Sequence, residues 1–157
     1  MSALRVGIAG LGTVGMGALK ILTTRATELT LAAGRPITVT AVSSRDRGKE
    51  RGVDLSAMTW FDNAVDLAKS DKIDVFVEMI GGSEGLAHEA VKAALAAKKP
   101  VVTANKALLA KHGAELAKLA EANGVVIAFE PAAAGGIPVI KALKESLVGN
   151  RISRVSG

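Results

Sequence analysis

Three glycines spaced Gly10-x-Gly12-x-x-Gly15 stand between an apolar run, Leu4 to Ala9, and an amphipathic stretch beginning at Thr13. That spacing suits the binding of a pyrophosphate. Gly10 permits a tight turn, Gly12 lets the backbone approach the anion with no side chain in the way, and Gly15 lets a helix pack closely on a strand. Leu11, Thr13 and Val14 complete the loop. Free N–H groups at the helix start, together with the helix dipole, favour negative charge there. The alternative is a set of turn glycines in a protein that binds no nucleotide. Placement directly between the first strand and the first long helix argues against it.

Three further segments fall where strands end. After the second apolar run, where an enzyme using NAD usually offers an acid to the ribose, this chain offers Ser43-Ser44-Arg45, which favours the 2′-phosphate of NADP. Arg47, Lys49 and Arg51 extend the positive charge, while Asp46 keeps NAD open as the cofactor and an ordinary solvated basic loop is the plainer reading. Ile80-Gly81-Gly82 closes the third run and Thr103-Ala104-Asn105-Lys106 the fourth. Ligands of parallel sheets bind along that carboxyl edge. His88 and His112 stand far apart in the chain, match no ligand or triad spacing, and are assigned to helix surfaces or helix ends.

The elements that must position these residues follow from periodicity. Leu4 to Ala9 reads as a buried strand, and Thr13 towards Ala33 as one long helix with Leu19, Leu22, Ala26 and Leu29 on its apolar face, ended by Gly34 and Pro36. Ile37 to Ser43 is a second strand, and the charged stretch SSRDRGKERGVD is a surface loop. Trp60 and Phe61 precede Asp62, the expected cap of a short helix through Lys69. Ile73 to Ile80 is a third strand, followed by a helix from about Gly85 to Ala97 and a strand from Pro100 to Thr103. A short helix near Asn105 and a further one through Glu121 come next, with Gly124 as C-terminal cap, then a strand over Val125 to Phe129. A last helix spans Val139 to Leu147, and Arg154 to Gly157 reads as the start of another strand. Strand and helix alternate as in an α/β, Rossmann-type doubly wound sheet, mainly parallel, with helices on both faces.

Composition narrows the function classes. The 157 residues are 49% hydrophobic but only 3% aromatic, which suits aliphatic parallel strands covered by Ala-rich helices in one domain. The net charge of +5 is scattered among acids, and there is no tyrosine to stack on bases, so nucleic acid is not the expected partner. No run of about 18 apolar residues or N-terminal leader stands out, and the expectation is a cytoplasmic protein with no membrane partner. The absence of cysteine excludes disulfides, thiolate metal sites and a catalytic thiol within this chain.

Taken together, VGIAGLGTVG, VEMIGG, VVTANKALLA and FEPAAAGGIPVIKALKESL resemble homoserine dehydrogenase in its monofunctional bacterial form, over essentially the whole chain. The resemblance implies NADPH- or NADH-dependent interconversion of L-aspartate 4-semialdehyde and L-homoserine, on the route to threonine and methionine. Lys106 matches the family's motif lysine, near nicotinamide and substrate, with Thr103 and Asn105 shaping the turn. Reduction of an aldehyde develops negative charge on oxygen, which an ammonium stabilises or protonates. The resemblance also implies a monovalent cation, sodium, held largely by main-chain carbonyls at Glu130, Ala133, Gly135 and Ile137. The plainer reading there is a glycine turn that orders a hinge.

The family pattern continues into a dimerising, substrate-binding domain with carboxylates and a second lysine, in a parent enzyme that is a homodimer or homotetramer. Residues 1–150 are therefore expected to form the cofactor domain and 151–157 the start of a truncated second domain, so that this chain binds cofactor but turns over little or no substrate. Exposed apolar surface left by that missing domain favours self-association. Aspartate-semialdehyde and glyceraldehyde-phosphate dehydrogenases share the glycine loop but acylate a cysteine, which is missing here. A non-catalytic cofactor-sensing module has no need of the VTANK lysine, and a dihydrodipicolinate reductase relative should lack the EPAAAGGIP loop.

Overall fold

A computed structural model describes residues 2–129, 132 and 137–154. Six parallel strands form one sheet: β1 (Leu4–Ala9), β2 (Ile37–Ser43), β3 (Thr59–Phe61), β4 (Val75–Glu78), β5 (Val101–Thr103) and β6 (Ile127–Ala128). Their spatial order is β3-β2-β1-β4-β5-β6, and every pairing is parallel. The order reverses at β1, so a crevice opens beyond the carboxyl ends of β1, β2 and β4, where such sheets take their ligands.

Helices α1 (Thr13–Thr24), α2 (Ala26–Ala33), α3 (Ala64–Lys69), α4 (Leu86–Ala96) and α5 (Lys106–Ala122) connect the strands. The short α6 (Val139–Lys141) runs into a π-helical turn over Ala142–Ser146. The central strands β1, β2 and β4 bury side chains in two directions because successive residues point to opposite faces. Val6, Ile8, Val39, Val42 and Val77 pack with Leu19 of α1 on one face. Ala9, Ala41, Phe76 and Val101 pack with Leu67, Val91, Leu95, Leu108 and Leu116 of α3, α4 and α5 on the other. Burial on both faces explains why the strands read as nearly unbroken apolar runs.

Several expected boundaries move. The stretch from Thr13 to Ala33 is two helices, interrupted at Arg25, whose φ of −111° and ψ of 26° leave the helical region. Thr23 and Thr24 prepare that break: their hydroxyls donate back to the carbonyls of Leu19 (3.0 Å) and Lys20 (2.8 Å), a bond that competes with regular helix geometry. Ala26 is exposed and no residue of α2 is buried. Trp60 and Phe61 lie in an edge strand, β3, too short to show alternation. Asn63, not Asp62, caps α3, its side chain accepting from the Val65 N–H at 2.8 Å; Asp62 instead accepts from the Trp60 indole N–H at 3.1 Å. The expected pair of helices after Thr103 is one continuous α5, since nothing in it breaks a helix except Gly113, and a lone interior glycine weakens a helix by only about 1 kcal/mol. Asn123 occupies the cap position and Gly124, at φ +67°, the left-handed position after it. The last helix is a single turn of α-helix that gives way to the π-helical turn.

The close approach of α1 to the sheet rests on Gly15. A Cβ there would lie 1.8 Å from the Gly10 carbonyl oxygen, whereas a Cβ on Gly12 would meet nothing within 4 Å among the described residues. Gly15→Ala is expected to lower unfolding stability by about 3 kcal/mol or more, since a methyl cannot enter that contact without moving backbone. Gly12→Ala is expected to lower it by less than about 1 kcal/mol, the usual penalty for alanine at a helix cap. Urea denaturation of the two variants checks the contrast, and equal stabilities would contradict it.

Candidate functional site

The glycine turn is locked at both ends. The Gly10 N–H donates to the Ser43 carbonyl at 2.8 Å, and its φ of +97° places a would-be Cβ 2.4 Å from the Met79 carbonyl oxygen. Only glycine fits between those constraints. Leu11 is buried in the core beneath the turn, so what it presents to the crevice is backbone, while Gly12, Thr13 and Val14 are exposed. Gly12 precedes α1 without any side-chain cap, leaving the first amides of that helix available to an anion.

A cleft of about 440 Å³ runs over this turn. Gly10, Leu11 and Gly12 line it at β1, Ser43, Ser44, Arg45 and Asp46 at β2, and Met79 and Ile80 at β4. Arg45 is exposed at its rim. Lys49 and Arg51 return into the same cleft, although they lie farther along a loop that read as plain surface. The Arg51 guanidinium sits over the Trp60 ring at 5.5 Å, donates to the Lys49 carbonyl at 2.7 Å and to the Ser44 hydroxyl at 3.3 Å, and also reaches the Asp46 carbonyl. Its Nε is buried without a hydrogen-bond partner among the described residues. Stacking on Trp60 therefore holds this cation ready beside Ser44. The residues present fit a dinucleotide: bare backbone at the start of α1 suits a pyrophosphate, and polar and cationic groups in the loop after β2 suit a ribose.

The second half of the edge is organised by a residue that the sequence reading passed over. Glu78, the last residue of β4, is fully buried. Its Oε1 accepts from the N–H groups of Ile80 (2.7 Å) and Gly81 (3.0 Å), and its Oε2 accepts from the Thr103 hydroxyl at 2.6 Å. Asn105 donates to the Gly82 carbonyl at 2.7 Å, and its own side-chain oxygen accepts from the Leu108 N–H at 3.1 Å, capping α5. The Asn105 N–H in turn donates to Thr103 Oγ1 at 3.0 Å. Thr103 and Asn105 thus spend their polar groups on shaping the turn, and Gly81 and Gly82, at φ +82° and +81°, are held open to solvent. The one available signal for Glu78 was an acid inside the otherwise apolar run VFVEMI.

Lys106 is the first residue of α5 and is exposed; among the described residues it makes no hydrogen bond or ion pair. A cation is disfavoured at a helix N-terminus by roughly 0.3–1 kcal/mol, and no acid in the first turn compensates it. Glu130, Ala133 and Gly135, three of the four expected cation ligands, lie outside the described residues. Ile137 is described: it is exposed, and its carbonyl accepts from the Val139 N–H at 2.7 Å. Among the described residues no helix is long and apolar enough to cross a membrane.

Residues 10–130 match the family model described as the NAD binding domain of homoserine dehydrogenase. The chain belongs to that family. The homoserine dehydrogenase of Pseudomonas aeruginosa is 46% identical over 157 residues, all of this chain and 36% of the relative; that of Bacillus subtilis is 42% identical with the same coverage. The chain thus spans about a third of the length of these curated relatives. A crystal structure of homoserine dehydrogenase from Thiobacillus denitrificans superimposes with a TM-score of 0.86 at 46% identity, covering 96% of this chain and 35% of that one. A hyperthermophilic archaeal homoserine dehydrogenase in complex with NADPH superimposes with a TM-score of 0.75 at 27% identity, covering 94% and 50%. The domain is a nicotinamide-dinucleotide-binding domain of Rossmann type, as its sequence indicated.

Removing the Glu78 carboxylate leaves the Thr103 hydroxyl and two backbone amides without their acceptor, at about 1–3 kcal/mol for each group left unsatisfied. Glu78→Ala is expected to lose at least about 3 kcal/mol of stability on that basis, and Glu78→Gln less, because the amide oxygen still serves Ile80 and Gly81. Urea unfolding of both variants checks this; a neutral Glu78→Ala would show that water replaces the carboxylate without loss.

Proposed function

We propose that this chain is the cofactor-binding part of an NADP-dependent homoserine dehydrogenase, which interconverts L-homoserine and L-aspartate 4-semialdehyde in threonine and methionine biosynthesis. The observation that carries the reading is convergence on one sheet edge: the glycine turn after β1, the basic loop after β2, Gly81-Gly82 after β4 and Lys106 after β5. The amides that open α1 hold the pyrophosphate. Arg45 and Arg51 hold the 2′-phosphate, with Ser44 oriented by Arg51. Bound there, the nicotinamide exchanges a hydride with the substrate carbon. The Lys106 ammonium, unpartnered at the head of α5, stabilises the developing alkoxide and supplies its proton in the direction of reduction.

The rest of the reading rests on the longer relatives. Residues 1–150 are the cofactor domain and residues 151–157 lead into a substrate-binding, dimer-forming domain. That domain covers the apolar groove formed by Leu109, Gly113, Ala117, Val126, Ile127 and Phe129 beside edge strand β6. A sodium ion on main-chain carbonyls at Glu130, Ala133, Gly135 and Ile137 orders the passage between the domains.

Calorimetric titration of the 157-residue chain with NADPH and NADH tests the cofactor reading. NADPH is expected to bind more tightly by about tenfold or more, the equivalent of one charge-assisted contact of about 1.4 kcal/mol. Arg45→Ala and Arg51→Ala each remove most of that preference while leaving NADH binding nearly unchanged. Equal affinities in the unaltered chain would overturn the assignment of the basic loop. Addition of L-homoserine with NADP is expected to give no detectable NADPH from this chain alone.

A further inference from the structure

Two histidines that sequence spacing kept apart meet between α4 and α5. His88 and His112 stack with ring centroids 3.9 Å apart and planes 16° from parallel, each side chain only 17% exposed. Glu84, in the turn that leads from Gly81-Gly82 into α4, brings a carboxylate oxygen to 3.0 Å from His112 Nε2. One ligand atom from each of Glu84, His88 and His112 lies within 4.8 Å of the others. A second carboxylate, Glu115, faces His112 Nδ1 at 3.5 Å and His88 Nε2 at 3.4 Å. Among the described residues His88 Nε2 is nevertheless buried without a hydrogen bond, an orphan of the kind that a buried polar atom rarely remains.

From this arrangement we infer that Glu84, His88 and His112 form a binding site for a divalent transition-metal ion of the zinc class. Two imidazoles and a carboxylate are the donors such ions select, whereas magnesium and calcium prefer all-oxygen sets. Zinc bonds of about 2.0–2.2 Å place tetrahedral ligand atoms about 3.3 Å apart, so the three must draw in by up to about 1.5 Å and the rings must turn out of their stack. Glu84 has that freedom, its side chain being 55% exposed. Glu115 is placed to hold the His112 ring through Nδ1, as carboxylates behind metal-bound histidines do. The fourth position stays open to water. Two cations now occupy these carboxylates: Lys111 pairs with Glu84, and Lys92 with Glu115 at 2.6 Å. In the metal-free chain Lys111 and His112 hold the Glu84 carboxyl well below its ordinary value. The site stands at the root of the Gly81–Gly85 turn, so metal binding ties that turn to α5.

The test uses the metal-free 157-residue chain and zinc ion itself. Calorimetry is expected to show one saturable equivalent of zinc, and cobalt(II) in its place should give the visible absorption of a tetrahedral site. Histidine ring resonances in the unaltered chain should both move with a single stoichiometry, a readout that depends on no variant. His88→Ala and His112→Ala should each weaken zinc binding beyond the about 10–100-fold that loss of an outer-shell partner produces, with circular dichroism and urea unfolding as the check that each variant is folded. No saturable binding, movement of only one ring, or zinc binding that survives the double variant would overturn the assignment. The outcome is independent of the dehydrogenase reading, since neither histidine belongs to the cofactor cleft.

Discussion

Taking a carboxylate out of water is tolerable only when its oxygens are fully bonded, and Glu78 meets that condition by shaping the edge of the sheet around itself. Its two oxygens gather the Ile80 and Gly81 amides from the loop after β4 and the Thr103 hydroxyl from β5. Asn105 extends the network, tying Gly82 to the start of α5. Lys106 is delivered to the edge as the next residue after that cap. One buried carboxyl group thus ties the two strand-end loops together. It also explains why two polar residues, Thr103 at the end of β5 and Asn105 at the head of α5, are buried.

On the other side of β1 the constraint is steric rather than electrostatic. A side chain at Gly15 would meet the Gly10 carbonyl and one at Gly10 would meet the Met79 backbone, so neither position admits one, and the helix that follows begins directly over the end of the first strand. A Cβ on Gly12 would meet nothing within 4 Å among the described residues; packing does not require its glycine, and the bare backbone suits close approach of a ligand. The contrast separates glycines that build the turn from the one that serves what binds there. The nearby Arg51, stacked on Trp60 and bonded towards Ser44, shows the same economy: an edge-strand aromatic turns a loop cation into a fixed feature of the cleft.

The sequence by itself determined the class of fold, the sheet's strands other than β3, and the glycine turn, because each depends on local rules: two-residue and helical periodicities, and glycine where no Cβ fits. It also determined which segments meet at the carboxyl edge, since in a parallel sheet every strand-to-helix turn falls on the same side. What it could not determine were groupings whose members are distant in the chain. Glu78 with Thr103, Arg51 with Trp60 and Ser44, and His88 with His112 and Glu84 are each brought together by strand order and helix packing. The break at Arg25 and the three-residue β3 escaped for a related reason: short elements carry too little periodicity to be read locally, and tertiary contacts decide where they begin and end.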